Sequence, residues 1–199
     1  MPLGELRPGL FRWTARHPEW VPEAEPDSPA DWPPAVGSVA YLAPDALVLV
    51  DPLVPDELWP ELDALAGQRD RVAVLTTIGF HRRSRDAVAR RYGATTSRAR
   101  ANLPTGVETL PIHRAGETMV WLPEHGALVP GDRILGAPGG LRVCPDSWLR
   151  YLRRTNGVSP AELRQELRRL LELPIELVLV SHGEPVLAGG RDALERALA

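Results

Sequence analysis

The 199 residues are enough for one well-buried domain and few for two, and 44% hydrophobic with 25% charged residues is an ordinary globular balance. A net charge of −3 gives the whole molecule no attraction for nucleic acid or for anionic membrane surfaces. All 23 basic residues are arginine, which excludes Schiff-base and P-loop lysine chemistry, and the single cysteine, Cys144, excludes an intramolecular disulfide or a thiolate metal cluster.

The opening MPLGELRPGLFRW lacks the basic start and apolar core of a signal peptide, and no run is long enough to span a bilayer. The expectation is a cytoplasmic protein folded as one domain over 1–199. Residues 1–36 read as a Pro- and Trp-rich arm, with a short strand near Leu10 to Thr14 and then an irregular loop, because so many prolines withhold backbone donors. VGSVAYLA and ALVLVDPL, parted by Pro44-Asp45, predict a hairpin. Leu58, Leu62 and Leu65 at helical spacing predict a helix over about Asp56 to Ala66. RVAVLTT reads as a buried strand and Ser84 to Tyr92 as a helix. ETLPI, TMVWL and GALVPG are strand-like, followed by a Gly-rich turn at Ala137 to Gly140. Ser159-Pro160-Ala161-Glu162 is a capping box with Pro at the first helical position, opening a helix to about Leu173. ELVLVS is another apolar strand, and Arg191 to Leu198 predicts a closing helix. Strands in groups with helices between and after them imply a layered α/β sandwich.

Candidate chemistry sits where predicted strands run out into loops. His113, Asp132 and His182 each end such a strand, and imidazole and carboxylate on a rigid frame are the donors a hydrolytic zinc or iron site takes. His81 begins the arginine-rich stretch that follows RVAVLTT. The seven arginines at 82, 83, 85, 90, 91, 98 and 100 lack interleaved aromatics apart from Tyr92, so they read as a solvated helix face, not a nucleic-acid surface. His125, in a turn after Pro-Glu, receives no role.

Taken in order, VLVDPLVP, VAVLTTIGFHR, PIHRAGETMVWLPEHGALVPGD and VLVSHGEPV resemble the metallo-β-lactamase superfamily from about Val36 onward. The resemblance implies a four-layer αββα sandwich with the site at one edge between two sheets. It makes Asp51 the structural aspartate, His113 the third-motif histidine, Asp132 the bridging aspartate and His182 the final ligand. The departure lies in the T-H-x-H-x-D-H motif. After Thr76, its ligand positions hold Thr77, Gly79, His81 and Arg82, so neither histidine of the H-x-H pair is present.

Two readings stay open at this point. In the first, the chain is an atypical hydrolase with at most one zinc or iron ion held by His113, Asp132 and His182, with His81 as a fourth ligand. Asp132 then serves catalysis, and Arg82 and Thr77 hold an anionic part of a small-molecule substrate. In the second, the chain is a non-catalytic, metal-free relative, whose Arg82 pairs with Asp132 and whose pocket binds a small anion. His17 and Trp20 lie on the loop that the resemblance puts over the site. Contact with substrate is one role for them, and anchoring of the arm by the indole is the plainer one.

Overall fold

A computed structural model describes residues 3–97, 102–151 and 158–199. Among the described residues the first sheet has six strands in the order of the chain: β1 (Gly4–Arg7), β2 (Leu10–Arg16), β3 (Ala35–Leu42), β4 (Leu47–Val50), β5 (Val72–Leu75) and β6 (Thr95–Ser97). Its β1 to β4 pair antiparallel, and β4, β5 and β6 run parallel, joined by α1 (Trp59–Ala66) and α2 (Arg85–Tyr92). A second sheet of four strands holds β7 (Glu108–Ile112), β8 (Glu117–Leu122) and β9 (Ala127–Val129). Its fourth strand, the short β12 (Leu177–Val178), lies parallel to β9. Between them in sequence come the hairpin β10 (Ile134–Ala137) and β11 (Gly140–Val143), then α3 (Asp146–Tyr151) and α4 (Pro160–Leu167); α5 (Gly190–Leu198) follows β12.

The two-residue period of the strands builds the four layers. Leu47 and Leu49 of β4 pack under α1 with Leu58 and Leu62, while Val48 and Val50 face the second sheet. In β8, Val120 and Leu122 meet them from the other side, and Met119 and Trp121 turn outward to Leu163, Leu167 and Leu194 beneath α4 and α5. Each of these buried side chains contributes roughly 1.5–3 kcal/mol relative to exposure. Helix, sheet, sheet, helix is the order expected from the resemblance.

Other expectations meet the structure in detail. The capping box is formed at both of its bonds: Ser159 Oγ accepts from the Glu162 N–H, and the Glu162 carboxylate accepts from the Ser159 N–H at 2.8 Å. Several elements go beyond the sequence reading: β1 extends the sheet from within the supposed arm, β6 follows α2, β10 and β11 flank the Gly-rich turn, and α3 follows β11. The predicted ELVLVS strand pairs in its own sheet only briefly. Past β12 the chain swings to the first sheet, where the Gly37 N–H donates to the Ser181 carbonyl at 2.7 Å and Val36 bridges His182. Gly37 is needed there, since a Cβ would lie 2.6 Å from the Val180 carbonyl oxygen. This crossing carries His182 into the gap between the sheets. Among the described residues, no helix is long and apolar enough to cross a membrane. Of the arginine-rich stretch, Arg82 and Arg85 pair with Asp86 and Arg91 pairs with Asp63 at the surface; Arg98 and Arg100 lie outside the described residues.

Candidate metal centre

Four loops converge at one end of the two sheets. Asp51 leaves β4 in a left-handed conformation, φ 47°, which turns its carboxylate back beneath the loop after β5. There it accepts the Thr77 N–H at 2.9 Å, the Thr77 hydroxyl, and His81 Nδ1 at 2.8 Å. His81 is thereby fixed with Nδ1 on Asp51 and Nε2 pointing inward. Asp132 sits in the turn after β9, and that turn is shaped by Glu117. The fully buried Glu117 carboxylate accepts the N–H groups of Gly131 (3.0 Å), Asp132 (2.5 Å) and Arg133 (2.9 Å). The Asp132 side chain therefore has no part in holding its own turn. His182 arrives from the crossing after β12, wedged between Trp32 and Trp148 with ring centroids 5.3 and 5.7 Å away.

Asp132 Oδ1 stands 3.1 Å from His81 Nε2 and 3.4 Å from His182 Nε2. It is buried, yet neither approach is aligned as a hydrogen bond, so the oxygen has no hydrogen-bond partner. One donor atom from each of His81, Asp132 and His182 lies within 4.8 Å of the others. Two imidazoles and a carboxylate aimed at one point, with a bare oxygen among them, suit one divalent zinc or iron ion. The Asp51 contact to His81 is the outer carboxylate that such a ligand histidine wants, since it puts the proton on Nδ1 and the lone pair on Nε2. A second ion finds no such set among the described residues. Thr77 is spent on Asp51, and Gly79 has no donor side chain.

A cavity of about 190 Å³ opens over this cluster, with His81, Asp132, His182, Arg83 and Arg133 at its base. Trp32, Trp148, Phe80 and His17 form its walls. The structure relocates several predicted residues. His113 is exposed on the short 3-10 turn between β7 and β8, its N–H donating to Glu166, and lies outside the three-residue cluster. Arg82, 60% exposed in its side chain, pairs with Asp86 four residues on, so it neither faces the cavity nor meets Asp132. The backbone turns left-handed at the next residue, Arg83 (φ 39°), and it is this residue that lines the cavity. Thr77 gives both donors to Asp51, which leaves its hydroxyl a positioning role and not a substrate contact. Trp20 donates its indole N–H to the Trp32 carbonyl at 2.9 Å beneath Arg16, and so ties the arm together, while His17 stands edge-on to Trp32 at the cavity wall. The arm is pinned to α3 by the Trp148 indole on the Ser28 carbonyl. Arg83, Arg133, Glu117, Trp32 and Trp148 were not marked by the sequence. The one local signal was Glu117, a carboxylate opening an otherwise apolar strand directly after a glycine.

Burial alone would lower the His81 pKa, but the carboxylates of Asp132 and Asp51 outweigh it and lift it to about 9. Asp132 is held well below the carboxylate range, because the charge of His81 and the contacts of both imidazoles override its burial. Burial keeps His182 below the ordinary histidine value. In chelated protein, His81 is raised on folding, so its stabilisation is complete below its ordinary value of 6.5 and is lost as pH rises through about 9. Urea unfolding of chelated protein is expected to show a stability loss on the order of 3 kcal/mol across that window. Metal-loaded protein should lack this loss, because an ion on Nε2 replaces the proton. A flat profile for chelated protein over the same range would show that His81 carries no extra proton.

No protein-family model matches the chain, and no curated protein matches it. Solved structures do. A mono-zinc form of an NDM/FIM-1-like metallo-β-lactamase from Erythrobacter litoralis superposes with a TM-score of 0.61 at 18% identity, covering 98% of this chain and 94% of that one. A metallo-β-lactamase from Hirschia baltica gives 0.58 at 16% identity, with 98% and 95% covered. The metallo-β-lactamase DIM-1 gives 0.59 at 13%, with 98% and 97% covered. The likeness runs through all four layers and nearly the whole of both chains, and this protein has the metallo-β-lactamase fold.

Proposed function

We propose that the protein is a hydrolase working with a single divalent metal ion, zinc or iron, held by His81, Asp132 and His182. The observation that carries this reading is the buried, unpartnered Asp132 Oδ1 between two imidazoles at the base of an open cavity. When bound, such an ion supplies Lewis-acid polarisation of a scissile carbonyl or phosphoryl oxygen and makes water acidic enough to attack near neutral pH. Three protein ligands leave a coordination position for substrate or water, which a closed four-ligand structural site does not. The chain's own contribution is orientation. Asp51 fixes the His81 ring, Glu117 fixes the Asp132 turn, and Trp32 and Trp148 hold the His182 ring between them. His17, whose pKa is lowered by burial and by the charge of Arg83, presents a neutral imidazole to the cavity wall, suited to exchanging a proton with a bound substrate.

The test is elemental analysis of protein purified without added metal or metal-affinity steps, followed by a panel of esters, lactones and phosphodiesters. About one equivalent of zinc or iron is expected, with hydrolysis that a chelator removes and the metal restores. Protein without bound metal that also takes up none from a zinc or iron buffer would overturn the reading.

A further inference from the structure

Arg83 is held in place against a cost. Its φ of 39° is left-handed, a conformation disfavoured for a side chain of this bulk. Its guanidinium is then fastened on three sides: Nη1 donates to the carbonyls of Gly37 and Asp51, both at 2.8 Å, and Nη2 donates to Ser181 Oγ at 2.6 Å. All three acceptors are neutral. Among the described residues, no carboxylate lies within ion-pair distance of this guanidinium. Its Nε is enclosed without a partner. Arg133, the other cavity arginine, differs in this respect, since the Glu117 carboxylate lies 4.0 Å from its Nε. Asp51 and Asp132 are near enough to act on the charge of Arg83, but the Asp51 carboxylate is taken by Thr77 and His81, and Asp132 Oδ1 stands at 3.1 and 3.4 Å from His81 and His182. A fixed cation with no carboxylate at ion-pair distance thus lines a cavity that Trp32, Trp148 and Phe80 also line.

We infer that Arg83 is the anion-binding residue of this cavity, taking the carboxylate of a small substrate whose apolar part lies against Trp32, Trp148 and Phe80. The inference rests on the proposed reading of the cavity as the reaction site and adds the substrate class. A planar monoanion fits better than a phosphate dianion, because Asp132 and Glu19 also border the space and would repel the second charge. The guanidinium matches a carboxylate in shape, and its charge-assisted bonds strengthen where water is excluded.

The test uses benzoate, with benzamide as its uncharged counterpart, on the full chain both metal-loaded and chelated. Benzoate should raise the Tm of both forms through selective binding to the native state, while benzamide should not. In Arg83→Gln the affinity for benzoate by titration calorimetry should fall at least about tenfold, with metal content unchanged. Arg83→Lys, which keeps the charge and loses the planar fork, should fall between the two. Equal binding of benzoate and benzamide by the unaltered protein would overturn the inference, as would full benzoate affinity in folded Arg83→Gln. Should Arg83→Gln fail to fold, the benzoate–benzamide difference and Arg83→Lys decide. Failure of the hydrolase reading appears separately, as absence of metal, and leaves the benzoate measurement on chelated protein intact.

Discussion

Replacing Asp132 with alanine is expected to empty the metal site while leaving the fold in place. The two halves of that result have different causes. Asp132 Oδ1 is the shared point of the cluster, 3.1 Å and 3.4 Å from the two imidazoles, so its loss leaves two neutral donors and no compensating charge for a dication. Affinity should fall well beyond the 10–100-fold that loss of an outer positioning partner costs. The turn that carries the residue is secured by the Glu117 carboxylate through three backbone N–H groups, none of which involves the Asp132 side chain. Elemental analysis should therefore fall from about one equivalent to background in a protein that remains folded, its urea midpoint in chelator lowered at neutral pH, where the His81–Asp132 attraction is lost, and little changed above about pH 9. A second signature follows from electrostatics. Without Asp132, the largest pull holding a proton on His81 is gone, and the loss of stability between neutral and alkaline pH should shrink. Metal retained in Asp132→Ala would place the ion elsewhere; unfolding of the variant would mean that the aspartate serves the fold.

The layers of this protein are legible in its sequence because they follow from alternation. ALVLV between Pro44-Asp45 and Asp51-Pro52 is apolar at every position, as a strand covered on both faces must be, and Leu47, Val48, Leu49 and Val50 divide evenly between the two cores. The capping box is legible because its partners are three residues apart. His182 and Asp132 stand out for a related reason, as polar residues that interrupt apolar strands just where those strands end. What sequence does not encode locally is direction. His113 and Asp132 look alike as residues that follow strands. Yet the short turn after β7 faces α4, where Arg114 meets Glu162, and the turn after β9 is pulled inward by Glu117, fifteen positions upstream of the aspartate it anchors. Arg82 and Arg83 are neighbours of one chemistry, and only the left-handed backbone at the second decides which of them enters the cavity. The walls are invisible for the same reason. Trp32 and Trp148 meet His182 from elements remote in sequence, one of them the proline-rich loop that has no periodicity to read.

Asp51 allows orientation of a ligand to be separated from stability of the fold. Its carboxylate accepts from Thr77 twice and from His81 once, all buried, so Asp51→Ala would strand those donors without acceptors. Each stranded donor costs about 1–3 kcal/mol, and removal of one partner of a buried charged network about 3–5 kcal/mol in all. Urea unfolding of Asp51→Ala should register a loss of that size, enough to unfold a marginal domain. Asp51→Asn is the more informative change. Asparagine tolerates the left-handed backbone at φ 47°, and its amide oxygen can keep the bond to the Thr77 N–H. At the position of Oδ2, however, it presents an NH2 group, a donor, to His81 Nδ1. The ring can meet a donor only by moving its proton to Nε2, the atom that faces Asp132. His81 would then lack the lone pair that a metal needs. The variant should stay folded and lose about 10–100-fold in metal affinity, measured by competition against a chromogenic chelator. In chelated protein above about pH 9, where His81 is neutral, it should also shift the His81 imidazole nitrogens in NMR from the Nδ1-protonated to the Nε2-protonated pattern. If Asp51→Asn binds metal as tightly as the unaltered chain, Asp51 braces the loop after β5 and leaves the tautomer of His81 to other forces.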